Sequence, residues 1–492
     1  MTIRLRRLSE IEAAGDVEWF MPALDRLRAL REERDERVRD FFAGASPLFV
    51  ARAPGRLDVM GGIADYSGAL VLQLPLRRST LAVVQQQAAP RCDIATLRAG
   101  TWHCVSMDMA DLLSGALRDS ERLAAYIRGR AIPDNWPAYP LGIVHHCLGE
   151  LARADEPPAP GLRVLIDSSV PEGKGISSSA ALEVAVMTAV AASARLTMAP
   201  EALAEACQWV ENHVVGAPCG IMDQMTSACG RQDRLLRLRC QPGTIEGHLA
   251  IPPGFRFYGV DSGLRHSVSG ADYGVVRTAA FMGYRIIADI AGLACALEGA
   301  RARVRDPQWR GYLTNITPGE YTARFERVLP EQLSGREFLD RYGGITDAVT
   351  EVRPERTYPV RQATAHPIHE QQRVEHFAEL LDTLPREPRA AVELGQLMYA
   401  SHESYSACGL GTDGTDRLVQ LVAEAGAGHG LFGAKITGGG SGGTVAILGT
   451  VQAEGRVRDI AQRYADETGR RAEVFTDSGP GAAQTGVLLV ES

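Results

Sequence analysis

A protein of mixed helices and strands, folded as two lobes or more, is what this sequence predicts. Three observations point there. The 492 residues exceed the roughly 250–300 at which a single hydrophobic core stops growing. Strand-like alternation, as in Leu162, Val164 and Ile166, is interleaved with long stretches of helical character such as Ala180 to Ser193. Dense glycine stretches lie at the ends of predicted strands, at residues 173–175 and 438–443, where a loop carrying function is expected.

Composition narrows the class. Forty-five per cent apolar and 23% charged residues are ordinary for a globular chain, and a net charge of −8 disfavours non-specific binding to nucleic acid or to anionic membranes. The nine cysteines are scattered, with no Cys-x-x-Cys pair and no His/Cys cluster at zinc spacing, which fits reduced thiols better than a disulfide framework or a structural metal. The N-terminus lacks an apolar signal core, and the longest apolar stretches are too short to span a bilayer. A soluble, cytoplasmic protein with no nucleic-acid or membrane partner is expected.

Three segments are expected: a helical extension at 1–44, a first lobe at 45–250 and a second lobe at 251–492. In the first, Leu24, Leu27, Leu30, Val38 and Phe41 form the apolar stripe of a charge-laced helix packed on the outside. Leu48 to Ala53 reads as a strand entering the glycine- and carboxylate-rich stretch from Pro54 to Gly68. That stretch reads as a functional loop in a hairpin region whose strands continue at Ala69 to Leu76 and Thr80 to Gln87. Residues 112–151 look helical with a break at 133–135, and 155–161 is a proline-rich connector. Pro200 opens a helix reaching Glu211; a further helix begins near Cys219, carries Asp223 and Gln224 and stops at Gly230. Strands follow at Leu235 to Cys240 and Phe255 to Asp261, and the chain then turns, over 261–267, into a helix through Tyr273, Arg277 and Tyr284. Residues 305–376 give only short, weakly periodic pieces; Val392 to His402 is helical, and the tail supplies strands at Ala472 to Phe475 and Gly486 to Val490.

The stretch from Val170 to Leu182 organises the rest. Gly173 and Gly175 permit backbone conformations closed to other residues and a close approach to a ligand. Ser177, Ser178 and Ser179 place hydroxyls where the amides of a starting helix are unpaired, so hydroxyls, amides and the positive end of the helix dipole converge on a site suited to an anion such as a triphosphate. No Gly-Lys-Ser/Thr closes the loop, so it is not a Walker motif. Lys174 has two readings, a phosphate ligand or a solvated loop lysine.

Taken in order, these stretches give the chain a resemblance. The run Ala53-Pro-Gly-Arg-Leu-Asp-Val-Met-Gly61 with Asp65-Tyr66, the cradle, the run Val215-Gly-Ala-Pro-Cys-Gly-Ile-Met-Asp-Gln224 and the last glycine stretch together resemble the GHMP-type small-molecule kinases, in their galactokinase branch. The combination of Asp58 to Ser67 with Pro171 to Gly175 is most similar to the kinase domain of L-arabinokinases. The resemblance implies a two-lobed α+β fold with the active site between the lobes, ATP and Mg²⁺ as cofactors, and a free sugar as the substrate phosphorylated at its anomeric hydroxyl. Residue by residue, it implies that Gly173, Lys174, Gly175, Ser177, Ser178 and Ser179 hold the phosphates, with Gly438, Gly439 and Gly440 beside them. Ser179 and Glu211 would complete the Mg²⁺ site, Arg56 and Asp223 would flank the attacking hydroxyl, and Asp65 and Tyr273 would contact the sugar.

Arg56 would stabilise developing negative charge. A guanidinium weakens an adjacent carboxylate as a base, so Asp223 has two roles open, accepting the proton or orienting the hydroxyl. Galactokinases carry a Glu-His pair for the sugar's C6 hydroxyl where this chain has Gly62 and Ile63. L-arabinopyranose lacks that C6 group, so L-arabinose is expected to be preferred over D-galactose; the other reading of Ile63 is that it packs under the loop. A sugar- and ATP-sensing regulator on the same fold is the alternative from another class, against which the intact serines, Arg56 and Asp223 speak.

Overall fold

The computed structural model describes residues 3–7, 15–42, 46–98, 100–113, 119–129, 135–153, 161–265 and 271–491. Positions 133–134, the connector at 155–160 and the turn residues 266–267 lie outside the described residues. The chain lays down strands β1 (Ile3–Arg7), β2 (Leu48–Met60), β3 (Leu70–Gln86), β4 (Arg91–Arg98), β5 (Thr101–Asp108), β6 (Leu162–Ser168), β7 (Arg234–Arg239) and β8 (Thr244–Ala250). It continues through β9 (Phe255–Asp261), the short hairpins β10 (Cys295–Glu298) with β11 (Arg301–Val304) and β12 (Leu333–Ser334) with β13 (Thr357–Tyr358), then β14 (Leu431–Ile436), β15 (Thr444–Thr450), β16 (Val474–Phe475) and β17 (Val487–Glu491).

The first lobe is built on a nine-stranded sheet ordered β1-β17-β2-β3-β6-β4-β5, with β7 and β8 continuing from one end of β3; the second holds a four-stranded sheet ordered β14-β15-β9-β16. Helices within 109–229 cover one face of the large sheet. This is the expected two-lobed α+β fold.

Residues 15–42 cover the opposite face. Leu24, Leu27, Leu30, Val38 and Phe41 are buried against Val50, Leu81, Val83, Leu165 and Val490. The extension is not purely helical, however: β1 pairs in parallel with β17 and forms an edge of the sheet. Its stripe therefore completes a core, each such side chain contributing about 1.5–3 kcal/mol of burial. A chain beginning near Pro47 is expected to keep kcat, since the cradle and Arg56 lie elsewhere, while its thermal midpoint falls. Loss of ATP or sugar affinity in that shortened but folded chain would place the extension in the site.

Two expectations about the hairpin region give way. β2 does not end at Ala53 but runs on to Met60, with a register shift between Pro54 and Arg56. Pro54 has no amide to give the ladder, and the irregularity frees the Arg56 amide to donate to the carbonyl of Ile176 at 3.0 Å, inside the cradle. A Cβ on Gly55 would stand 2.7 Å from that same carbonyl, so glycine lets strand and cradle touch. The two strands expected at 69–76 and 80–87 are one, β3. The functional loop shrinks to a 3₁₀ turn, Gly62–Ser67.

The division expected at residue 250 is crossed in both directions. β17 returns to pair with β2. The helix Val360–Thr383, illegible in the sequence, sends Glu370 to the Gly61 amide (3.2 Å) and Gln371 to the Leu70 amide (2.8 Å). It contains Pro367, and buried polar groups, His366, Glu370 and Gln371, interrupt the buried apolar Ile368, Val374, Phe377 and Leu381 along it, which blurs its periodicity. An apolar cluster of Leu57, Val59, Leu72 and Leu74 with Phe377, Leu394, Met398 and Leu448 joins the lobes. They are packed as one body around the site.

Candidate active site

The cradle leaves β6 and turns at Gly173 (φ 69°) and Gly175 (φ 70°), where a left-handed backbone is needed. Ser177 caps the helix Ser178–Ser193 with a left-handed φ of 59° and makes no side-chain cap bond; its buried hydroxyl has no partner. Gly173, Gly175, Ser178 and Ser179 remain partly exposed at the helix start, where the first-turn amides have no intrahelical partner.

The last glycine stretch packs onto this turn. A Cβ on Gly438 would lie 2.8 Å from the Gly175 carbonyl and 3.1 Å from Arg56, and one on Gly443 would lie 2.8 Å from the Lys174 carbonyl. Gly440 instead backs onto Leu410, and Gly439 between them is partly exposed. Lys174 Nζ lies 2.7 Å from Asp261 Oδ2 with 17% of the lysine side chain exposed, so the amine is paired with a carboxylate of the second lobe, which neither of the two readings anticipates.

Arg56 and Asp223 meet beside the cradle. Arg56 Nε and Nη2 lie 2.8 and 2.7 Å from Asp223 Oδ1, while Nη1 donates to the Gly175 carbonyl at 2.7 Å. Asp223 lies in the first turn of the helix Met222–Cys229, whose N-cap is Ile221; it makes no capping bond, its carboxylate being turned onto Arg56. The arginine side chain is 2% exposed and the aspartate 22%, so the pair presents a carboxylate to the cleft from a buried guanidinium.

Asp65 comes from the 3₁₀ turn and presses on Gly220, where a Cβ would stand 1.8 Å from Oδ2. Its Oδ1 is buried without a partner. Burial first, then the charge of Asp223, pushes its carboxyl up to about 7, with Arg277 opposing the shift. Tyr273 packs edge-on against Tyr66, with ring centroids 5.8 Å apart.

Arg277, one helical turn after Tyr273, was placed on this helix by the sequence but given no role. It forks onto Asp347 at 2.8 and 2.9 Å and donates to the Cys219 carbonyl at 3.0 Å, holding the loop that carries Gly220. The i,i+4 spacing from Tyr273 was the available signal. Glu183 was also missed. Gln224 Nε2 donates to Glu183 (3.1 Å) and Glu211 (2.6 Å), and Ser179 hydrogen-bonds Glu211. Burial drives both carboxyls up, Glu211 to about 7. Glu183 Oε1 and Gln224 Oε1 are buried without partners, so hard oxygen atoms collect beside the cradle. Among the described residues no group of three or more His, Cys, Asp or Glu side chains could hold a metal ion.

Gly62 and Ile63 do not form the wall expected of them. Ile63 is buried in the second lobe's core with Val276, Tyr405 and Ile436, as in the packing alternative. Tyr405 Oη accepts from the Ile63 amide (2.8 Å), donates to the Gly438 carbonyl (3.1 Å) and lies 1.6 Å from where a Gly62 Cβ would be. A Gly62→Glu/Ile63→His pair would therefore collide with Tyr405 and bury an imidazole. Beneath this turn, Lys435 Nζ is paired with Asp58 Oδ2 at 2.8 Å, both fully buried.

The class that this architecture defines is the two-lobed small-molecule kinases. Models of the GHMP kinases N terminal domain and C terminal domain match residues 141–231 and 379–467, and a galactokinase galactose-binding signature matches 39–86. The chain is 39% identical to the L-arabinokinase of Arabidopsis thaliana over 98% of its own length, although it spans only 51% of that protein. It is 31% identical to the galactokinase of Chloroflexus aggregans, the match covering 87% of this chain and 91% of that one. Lactococcus lactis galactokinase complexed with galactose has the same fold, with a TM-score of 0.70 over 92% of this chain and 98% of the other at 18% identity. The chain belongs to the GHMP kinase family, in its galactokinase branch. Membership of a kinase family implies use of ATP. No helix among the described residues is long and apolar enough to cross a membrane.

Proposed function

We propose that the protein transfers the γ-phosphoryl group of ATP to the anomeric hydroxyl of L-arabinose, giving L-arabinose 1-phosphate. The observation that carries the chemistry is Arg56, one guanidinium gripping both the Gly175 carbonyl of the cradle and Asp223. Phosphoryl transfer asks a protein mainly for alignment and charge stabilisation. Gly173 to Ser179 receive the triphosphate on helix-start amides and on the hydroxyls of Ser177 and Ser178, with Gly438 and Gly439 closing against them. Asp223 holds the attacking hydroxyl and takes up or directs its proton, while Arg56 fixes that carboxylate and offsets charge building on the transferred group. Asp65, with its unpartnered oxygen, and Tyr273 orient the sugar ring.

The oxygen set of Ser179 and Glu211, with the spare oxygens of Glu183 and Gln224 behind it, suits a hard divalent cation that keeps waters and phosphate ligands. Mg²⁺ held there supplies charge neutralisation of the phosphates. The assigned residues do the rest, by position.

The pentose is supported by the similarity to L-arabinokinase. ADP formation measured over a panel of free sugars is expected to give the highest kcat/KM for L-arabinose with residual turnover of D-galactose. A preference for D-galactose would overturn the substrate, and no turnover of any sugar would overturn the enzyme.

A further inference from the structure

Lys174 is flanked by Gly173 and Gly175, both at positive φ, so it is the residue through which this turn can be fixed by a side chain. Both of its ends reach the second lobe. Its carbonyl accepts from Thr444 Oγ1 at 2.8 Å, and its Nζ lies 2.7 Å from Asp261 Oδ2. Thr444 and Asp261 face each other across β15 and β9, so lysine backbone and side chain grip the same rung of the four-stranded sheet. That rung is itself held: the Asp261 amide donates to the Glu473 carbonyl (2.8 Å), the Gly263 amide to Asp261 Oδ1 (3.0 Å), and the Ser262 amide to the Gly443 carbonyl (2.9 Å). The ion pair is largely buried, the lysine side chain 17% and the aspartate 5% exposed.

We propose that the side chain of Lys174 is a positioning group that pins the phosphate cradle to the second lobe through Asp261, and so sets nucleotide affinity without itself touching the nucleotide. The inference rests on the reading of Gly173 to Ser179 as an ATP cradle. A glycine turn left free must be ordered when the triphosphate arrives, at an entropic cost subtracted from binding; a turn ordered in advance avoids it.

The test is a double-mutant cycle read by calorimetric binding of a non-hydrolysable ATP analogue with Mg²⁺ to the full chain, alongside KM for sugar. Lys174→Met and Asp261→Asn are each expected to weaken analogue binding by about tenfold, and the double variant no more than either, the mark of one shared interaction. Lys174→Arg, which keeps charge and reach, should restore most of the affinity, and KM for sugar should not move. Lys174→Met weakening binding while Asp261→Asn leaves or tightens it would make the lysine a phosphate ligand and overturn the proposal; so would additive losses. An unmodified chain that binds no analogue would overturn the ATP reading itself, an outcome distinct from both.

Discussion

Turnover is expected to fall by on the order of 10²-fold or more when Asp223 is replaced by asparagine, with sugar binding retained. Asparagine keeps the shape of the side chain and an oxygen that Arg56 Nε and Nη2 can reach, so the guanidinium, anchored also on the Gly175 carbonyl, stays in place. What is lost is a charged acceptor at the point where the sugar hydroxyl gives up its proton. That interaction strengthens only as the transition state forms, so kcat should carry the loss and KM should not. Steady-state kinetics with a direct measure of sugar binding decide it. Near-unchanged turnover in a folded Asp223→Asn variant would remove Asp223 from the chemistry.

The second large effect concerns stability. Lys435→Met is expected to destabilise the fold by about 3–5 kcal/mol, because it leaves the fully buried Asp58 carboxylate without its counter-charge. Asp58 would keep the Gly62 amide (3.1 Å) and Gln73 Nε2 (2.7 Å) on Oδ1, but neither carries a charge. Replacing both partners, Asp58→Asn with Lys435→Met, should recover part of the loss, since an unpaired buried charge costs more than an absent pair. Urea unfolding of the single and double variants measures both. A single-variant loss under about 1 kcal/mol would mean that the carboxylate finds another route to neutrality.

The parts of the site that could be read from the chain are those whose function is written into the backbone. A glycine turn ahead of a helix start was legible locally at 173–179, whereas the packing of 438–440 beside it came only through the resemblance. Asp223 and Arg56 were legible only through the resemblance, since an Asp early in a helix more often compensates the dipole. Glu183, Arg277 and Glu370 carry no role in the sequence alone. Each sits inside a segment of unremarkable periodicity and acquires a role from a partner 41, 70 or 309 positions away.

Where the structure departed from expectation, a local reading was settled by a distant residue. Lys174 reads as a loop lysine until Asp261 stands 2.7 Å from it. Ile63 reads as a wall for a sugar until Tyr405, 342 positions on, takes up the space and bonds to its amide. The apolar stripe at 24–41 reads as the inner face of an outside helix, and only the sheet shows what it covers and that β1 adds an edge beside it. The helices at 180–193, 200–211, 219–230 and 392–402, the strands on either side of them and the glycine turn at 173–175 follow from the local chain, because period, capping and glycine act over a few neighbouring residues. Which strand returns to which sheet, where the lobes interlock and which buried charges meet were decided by tertiary structure, because desolvating a polar group is tolerable only where the whole fold brings it a partner.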